Sequence, residues 1–73
     1  MSKIEFLEQI IYSANVILKY EKSNQLLKDK LEDFKGKPIY DGYLETIENN
    51  SINSMKERLV LIEFLNKYQE IKI

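Results

Sequence analysis

The sequence predicts an all-α fold: a long N-terminal helix over about residues 3–35 with a coiled-coil-like seam, a loop, a short helix, and a C-terminal helix over about 52–70. Together these make a small helical bundle that dimerisation is expected to complete. Three observations predict it. Apolar residues recur at alternating steps of four and three through the first half of the chain, which is the period of a helix and not of a strand. No glycine or proline interrupts the chain before Gly36. The stretch Leu59-Val60-Leu61-Ile62-Glu63-Phe64-Leu65 holds six apolar residues in seven, which on a helix leaves almost no polar face and demands cover from more than one side.

The first helix is announced by Ser2, whose hydroxyl can cap the first turn while Glu5, three residues on, reaches back to the cap amide. Its stop is Lys35-Gly36-Lys37-Pro38. Gly36 suits the left-handed residue just past a helix end, and Pro38 cannot continue the helix. About 33 residues at 1.5 Å each give a rod of roughly 50 Å. Phe6, Ile10, Ser13, Ile17, Tyr20, Asn24, Leu27, Leu31 and Phe34 form one seam along it, seven of the nine apolar or aromatic. This is a coiled-coil pattern with a lone Asn in an inward position, a residue that commonly sets register and pairing at some cost in stability. Two partners suit the seam equally, a second copy of the same helix or the second half of the same chain. A second stripe, Ile4, Leu7, Ile11, Ala14 and Leu18, ends at Glu21 and Gln25, so the N-terminal half needs cover on two sides and the C-terminal half on one. The expected shape is a helix held in a bundle at one end and projecting as an arm at the other.

In the middle, Pro38 to Tyr43 is expected to form a loop with a turn at Asp41-Gly42, since both residues tolerate positive φ. A short helix follows from about Tyr43 to Asn49, and Asn49-Asn50-Ser51 breaks or bends it. Ser54 and Glu57 make a second capping box for the last helix. That helix carries three stripes: Ile52, Met55, Leu59 and Ile62; Leu61, Leu65 and Tyr68; and Val60, Phe64 and Ile71. A buried strand would suit Leu-Val-Leu-Ile, but the flanks are good helix formers and the spacing outruns a strand. Helix one and the short helix cover two sides, and a third stripe stays open. A second copy across a two-fold axis is the simplest cover, and the residues expected at that dimer interface are Ile10, Ile17, Asn24, Leu27, Leu31, Leu61, Phe64 and Leu65.

Length and composition bound the function. A chain of 73 residues is a single helical domain, 1–73, and it buries only roughly 60% of its unfolded surface, so its own core is marginal. Cysteine and histidine are absent, which removes a disulfide framework and the common zinc sites. Glu5 and Glu8 interrupt the N-terminal apolar residues, unlike a secretory signal, and no apolar run approaches the roughly 18 residues of a membrane span; a cytoplasmic location is expected. The net charge is −1, and Arg58 is the one arginine. Phosphate neutralisation and base reading both lean on basic residues, so nucleic-acid binding is disfavoured. Residues 19–37 carry six lysines against four acids, and 38–57 four acids against Lys56, the mild imbalance of solvated helix faces.

No chemistry is legible. Without His or Cys the usual nucleophile and base pairs are missing. The acid pairs Glu45 with Glu48, and Asp29 with Glu32 and Asp33, sit on polar faces, and no Glu-x-x-His pair or glycine-rich phosphate loop can be written. The chain is read as no enzyme, with no cofactor and no metal. Glu63, the one charge within the apolar run, is expected to face water. Tyr40 and Tyr43 bracket the Asp41-Gly42 turn in the acidic segment with Glu45 and Glu48. Tyrosine favours interfaces, which makes Tyr40, Asp41, Tyr43, Glu45 and Glu48 the candidates for contact with a different protein, the alternative being that both rings pack back on the helices.

The functional expectation is a non-enzymatic protein-binding module, a homodimeric inhibitor or adaptor acting on a host protein. The composition, rich in Lys, Ile, Asn, Glu and Tyr, matches an AT-rich genome such as that of a low-GC bacterium or its phage, and small chains of that kind often block a host machine, replication or transcription included. Gln25-Leu26-Leu27 resembles the start of the Gln-Leu-x-Leu-Phe peptide that binds bacterial replication clamps, and departs from it at Lys28-Asp29. The alternatives are a nucleic-acid-binding regulator using the lysine-rich end of helix one, and a structural coiled-coil component of a larger assembly.

Overall fold

The structure, a computed structural model, describes residues 1–68. Ser2 begins α1 as its chemistry requires, its hydroxyl accepting from the Glu5 amide at 3.1 Å. The Glu5 carboxylate turns back onto the Ser2 hydroxyl at 3.2 Å and not onto the cap amide. Helix α1 then runs Lys3–Phe34, within a residue of the expected span. Gly36 takes φ +84°, the single positive-φ residue of the described chain, and lets the backbone reverse within four residues.

The second half departs from expectation. Helix α2 is continuous over Ile39–Lys67, so the expected loop, Asp41-Gly42 turn, separate short helix and break at 49–51 are all absent. Pro38 explains the start. It stands at the head of α2 with φ −56° and ψ −32°, where the missing amide hydrogen costs nothing and the fixed φ favours the first turn. Gly42 lies inside the helix, and the Thr46 hydroxyl donates to its carbonyl at 2.9 Å. Ser54 is not a cap but a buried mid-helix residue. The end of the last helix beyond Tyr68, including the expected run to Glu70 and the stripe member Ile71, lies outside the described residues.

The two helices lie antiparallel along their whole length. At the open end Phe6 stacks on Phe64 with ring centroids 5.2 Å apart, and Tyr68 meets both rings. At the turn end Phe34 meets Tyr43 edge-on at 5.0 Å. The seam of α1 is thus filled by the second half of its own chain, one of the two partners the sequence left open, and no arm projects. All nine seam residues of α1 are buried or half-buried. Their counterpart is Tyr40, Tyr43, Ile47, Asn50, Ser54, Glu57, Leu61, Phe64 and Tyr68, also buried or half-buried and spaced by alternating threes and fours, as knobs-into-holes packing requires.

The result is a rod, 53 × 16 × 12 Å, with a radius of gyration of 16.5 Å, where a compact chain of this length would have about 11 Å. Its interior is thin. Phe6 is the one apolar side chain fully buried among the described residues, beside Ser13, Asn24 and Ser54. The accessible surface is 5826 Å², against about 4700 Å² for a compact monomer of 8.7 kDa. No helix among the described residues is long and apolar enough to cross a membrane.

Candidate interaction surface

The middle of the hairpin is held by polar contacts. The Asn24 amide nitrogen donates to the Ile47 carbonyl at 3.2 Å and to the Ser51 hydroxyl at 3.0 Å, while Asn50 donates to the Ser23 hydroxyl at 3.2 Å. One oxygen of Glu21 accepts from the Ser54 hydroxyl at 2.9 Å and from the Arg58 guanidinium at 3.0 Å. Asn50 and Ser51, expected to break the helix, instead turn their side chains across the seam, so they do not compete for their own backbone. The Asn24 side-chain oxygen is buried without a partner, a cost the layer carries.

The Glu21–Arg58 bridge marks one side of the rod, because residues three, four and seven apart share a helix face. Counting back from Glu21 along α1 gives Leu18, Ala14, Ile11, Leu7 and Ile4. Counting from Arg58 along α2 gives Met55 on one side and Ile62 and Leu65 on the other, with Leu59 at their edge. The second stripe of α1 read from sequence and the exposed members of two α2 stripes, Met55, Leu59 and Ile62 of one and Leu65 of another, therefore lie on the same face of the rod, side by side, over its open-end half. Apart from half-buried Leu7, all of them are solvent-exposed: Ile4 68%, Ile11 59%, Met55 62% and Ile62 52% among them. Seven of the fourteen exposed large apolar side chains lie together here, Ile4, Ile11 and Leu18 on α1 and Met55, Leu59, Ile62 and Leu65 on α2, a contiguous patch and not single scattered residues. Towards the turn the same face becomes mostly polar, with Gln25, Lys28 and Glu32 on α1 and Asp41, Glu48 and Ser51 on α2 around a single exposed leucine, Leu44.

The residues expected at a dimer interface fall into two groups. Ile10, Ile17, Asn24, Leu27, Leu31, Leu61 and Phe64 face the seam inside the chain, and Asn24 is bonded there; only Leu65 is exposed, at 39%. A run of six apolar residues in seven thus divides between the two faces: Leu61 and Phe64 turn inwards, whereas Leu59, Val60, Ile62 and Leu65 are exposed. Of the partner-binding candidates, Tyr43 packs on Phe34 and Tyr40 is half-buried, so both rings lie back on the helices, while Asp41, Glu45 and Glu48 form an exposed acidic ridge. Glu63 faces water as expected. The shallow depression bounded by Lys22, Gln25, Leu26 and Asp29 lies on the outer turns of one helix and encloses nothing. Among the described residues no group of acids is placed to hold a metal ion.

No protein-family model, no curated protein and no solved structure matches this chain.

Proposed function

We propose that this chain is a non-enzymatic protein-association module, working as a homodimer that inhibits or recruits a further protein of a phage or low-GC bacterial cell. The observation that carries the reading is the continuous apolar face at the open end, beside an interior with one fully buried apolar side chain. A two-helix rod with so little core has small stability of its own, and an apolar face bordered by polar residues is the usual mark of a protein contact. The lysines of α1 alternate with Asp29, Glu32 and Asp33 around the helix, which gives the phosphate-binding alternative no basic stripe to stand on.

Sedimentation equilibrium across a wide concentration range tests the reading, on the wild type and on Ile62→Glu, an exposed position on the apolar face. The expected mass is near twice 8.7 kDa for the wild type and falls towards the single chain for the variant. A wild type that stays monomeric and helical at every concentration overturns it. Leu61 lies in the intrachain seam, so a charge placed there would report on the hairpin and not on the outer face.

A further inference from the structure

We infer that two copies pack open-end half on open-end half, with α1 antiparallel to its own copy, so that the two turn ends point in opposite directions. This rests on the homodimer reading above and adds its geometry. The occupant is a second copy because the patch is suited to itself. Its stripes hold no charge except Arg58, which Glu21 neutralises at 3.0 Å, so two patches meet without like-charge repulsion. Seven large side chains showing 39–68% of their surface, at on the order of 100 Å² each, with Leu7 and Ala14 between them, offer about 800 Å² per copy. That is the share of a stable interface of standard size.

The uneven face then fixes the alignment. A fully overlapped antiparallel pair would lay the apolar half of each rod on the polar turn half of the other, burying Gln25, Lys28, Glu32, Asp41 and Glu48 against aliphatic side chains. A parallel pair, with its axis along the rod, overlaps the apolar halves but lays α1 on α2 of the other copy and also presses the two turn halves together, with Glu32 level with the second copy's Asp41 and Lys28 near its Glu48. It takes Gln25, Lys28, Glu32, Asp41 and Glu48 of both copies out of water, and that desolvation disfavours it. Overlap of the open-end halves alone leaves every turn-half charge in water. Its two-fold axis lies across the rods near the middle of the stripes, close to Ile11. The apolar stripe of α1 spans about 15 residues, or roughly 22 Å. Two rods of 53 Å overlapping by that much make an assembly roughly 80 Å long.

The chain has no cysteine, so single-cysteine variants report pairing directly. In a glutathione redox buffer, Ile11→Cys is expected to form a disulfide-linked dimer with itself, and small-angle scattering on the unmodified protein to give a maximum dimension near 80 Å. A mixture of Ile11→Cys and Ile62→Cys that links only as the mixed dimer, with a length near that of one rod, establishes the parallel pair and overturns the inference while the homodimer stands. A dimer in which neither pairing links and the length is that of one rod overturns it in favour of another face. A monomer by sedimentation overturns both this geometry and the reading it rests on.

Discussion

The two glycines offer opposite responses to one substitution, and the difference tests the continuity of α2. Gly42 lies inside the helix, has no positive φ, and a Cβ built on it meets nothing within 4 Å. Alanine there removes conformational freedom from the unfolded chain without strain, a gain of about 0.5–1 kcal/mol. Gly36 also has open space around its Cβ position but holds φ +84°, where an L-residue costs about 1–2 kcal/mol. In a domain of this size 1 kcal/mol moves the melting temperature by about 4–8 °C. Gly42→Ala is therefore expected to raise Tm by about 2–8 °C, and Gly36→Ala to lower it by about 4–16 °C. Circular dichroism melts at 222 nm, all at one protein concentration because association shifts apparent stability, make the comparison. A fall in Tm for Gly42→Ala refutes the helix at 39–43 and restores the Asp41-Gly42 turn.

Phe6→Ala removes the one fully buried apolar side chain and its stack on Phe64, an expected loss of about 3 kcal/mol or more in urea unfolding at fixed protein concentration; a loss below about 1 kcal/mol shows the open end to be unpacked. Arg58→Ala and Glu21→Ala break the same ion pair, but in the single chain the pair is exposed, with side chains 58% and 48% accessible, so at protein concentrations where the chain is monomeric Arg58→Ala should change stability by no more than about 0.5 kcal/mol. Glu21→Ala also strands the Ser54 hydroxyl, only 2% exposed, and should cost about 1–2 kcal/mol; equal effects from the two variants would mean that the Ser54 bond is worth nothing.

Helix α1 was legible from end to end because every signal agreed. Ser2 and Gly36 punctuate it, and the alternation from Phe6 to Phe34 is interrupted only by Ser13 and Asn24. Helix α2 was less legible because its seam passes through Asn50, Ser54 and Glu57, three polar residues that dilute the alternation starting at Tyr40. Asp-Gly and Asn-Asn-Ser are good local signals for turns, yet the partners that override them, Ser23, Asn24 and Glu21, sit 27 to 33 residues away. Pro38 carries two meanings, as a helix stop and as a helix opener, and the second is the clue to α2. The exposed stripes were legible on each helix separately. That they share one face follows from the antiparallel register, which no local pattern contains.

The buried amide of Asn24 bears on how a rod this regular avoids becoming a ladder of alternative pairings. Two helices with repeating seams can slide by a heptad, about 10 Å, and recover most of their contacts. Such a slip would carry the Asn24 amide away from the Ile47 carbonyl and the Ser51 hydroxyl, leaving buried donors unmet at about 1–3 kcal/mol each. The polar layer works as a detent that picks one alignment out of several near-equal ones. It does so with residues that add little cohesion, and it spoils the neighbouring alignments more than it favours its own. Uniqueness is thus written into the polar middle of the hairpin, and cohesion into the aromatic contacts at its two ends.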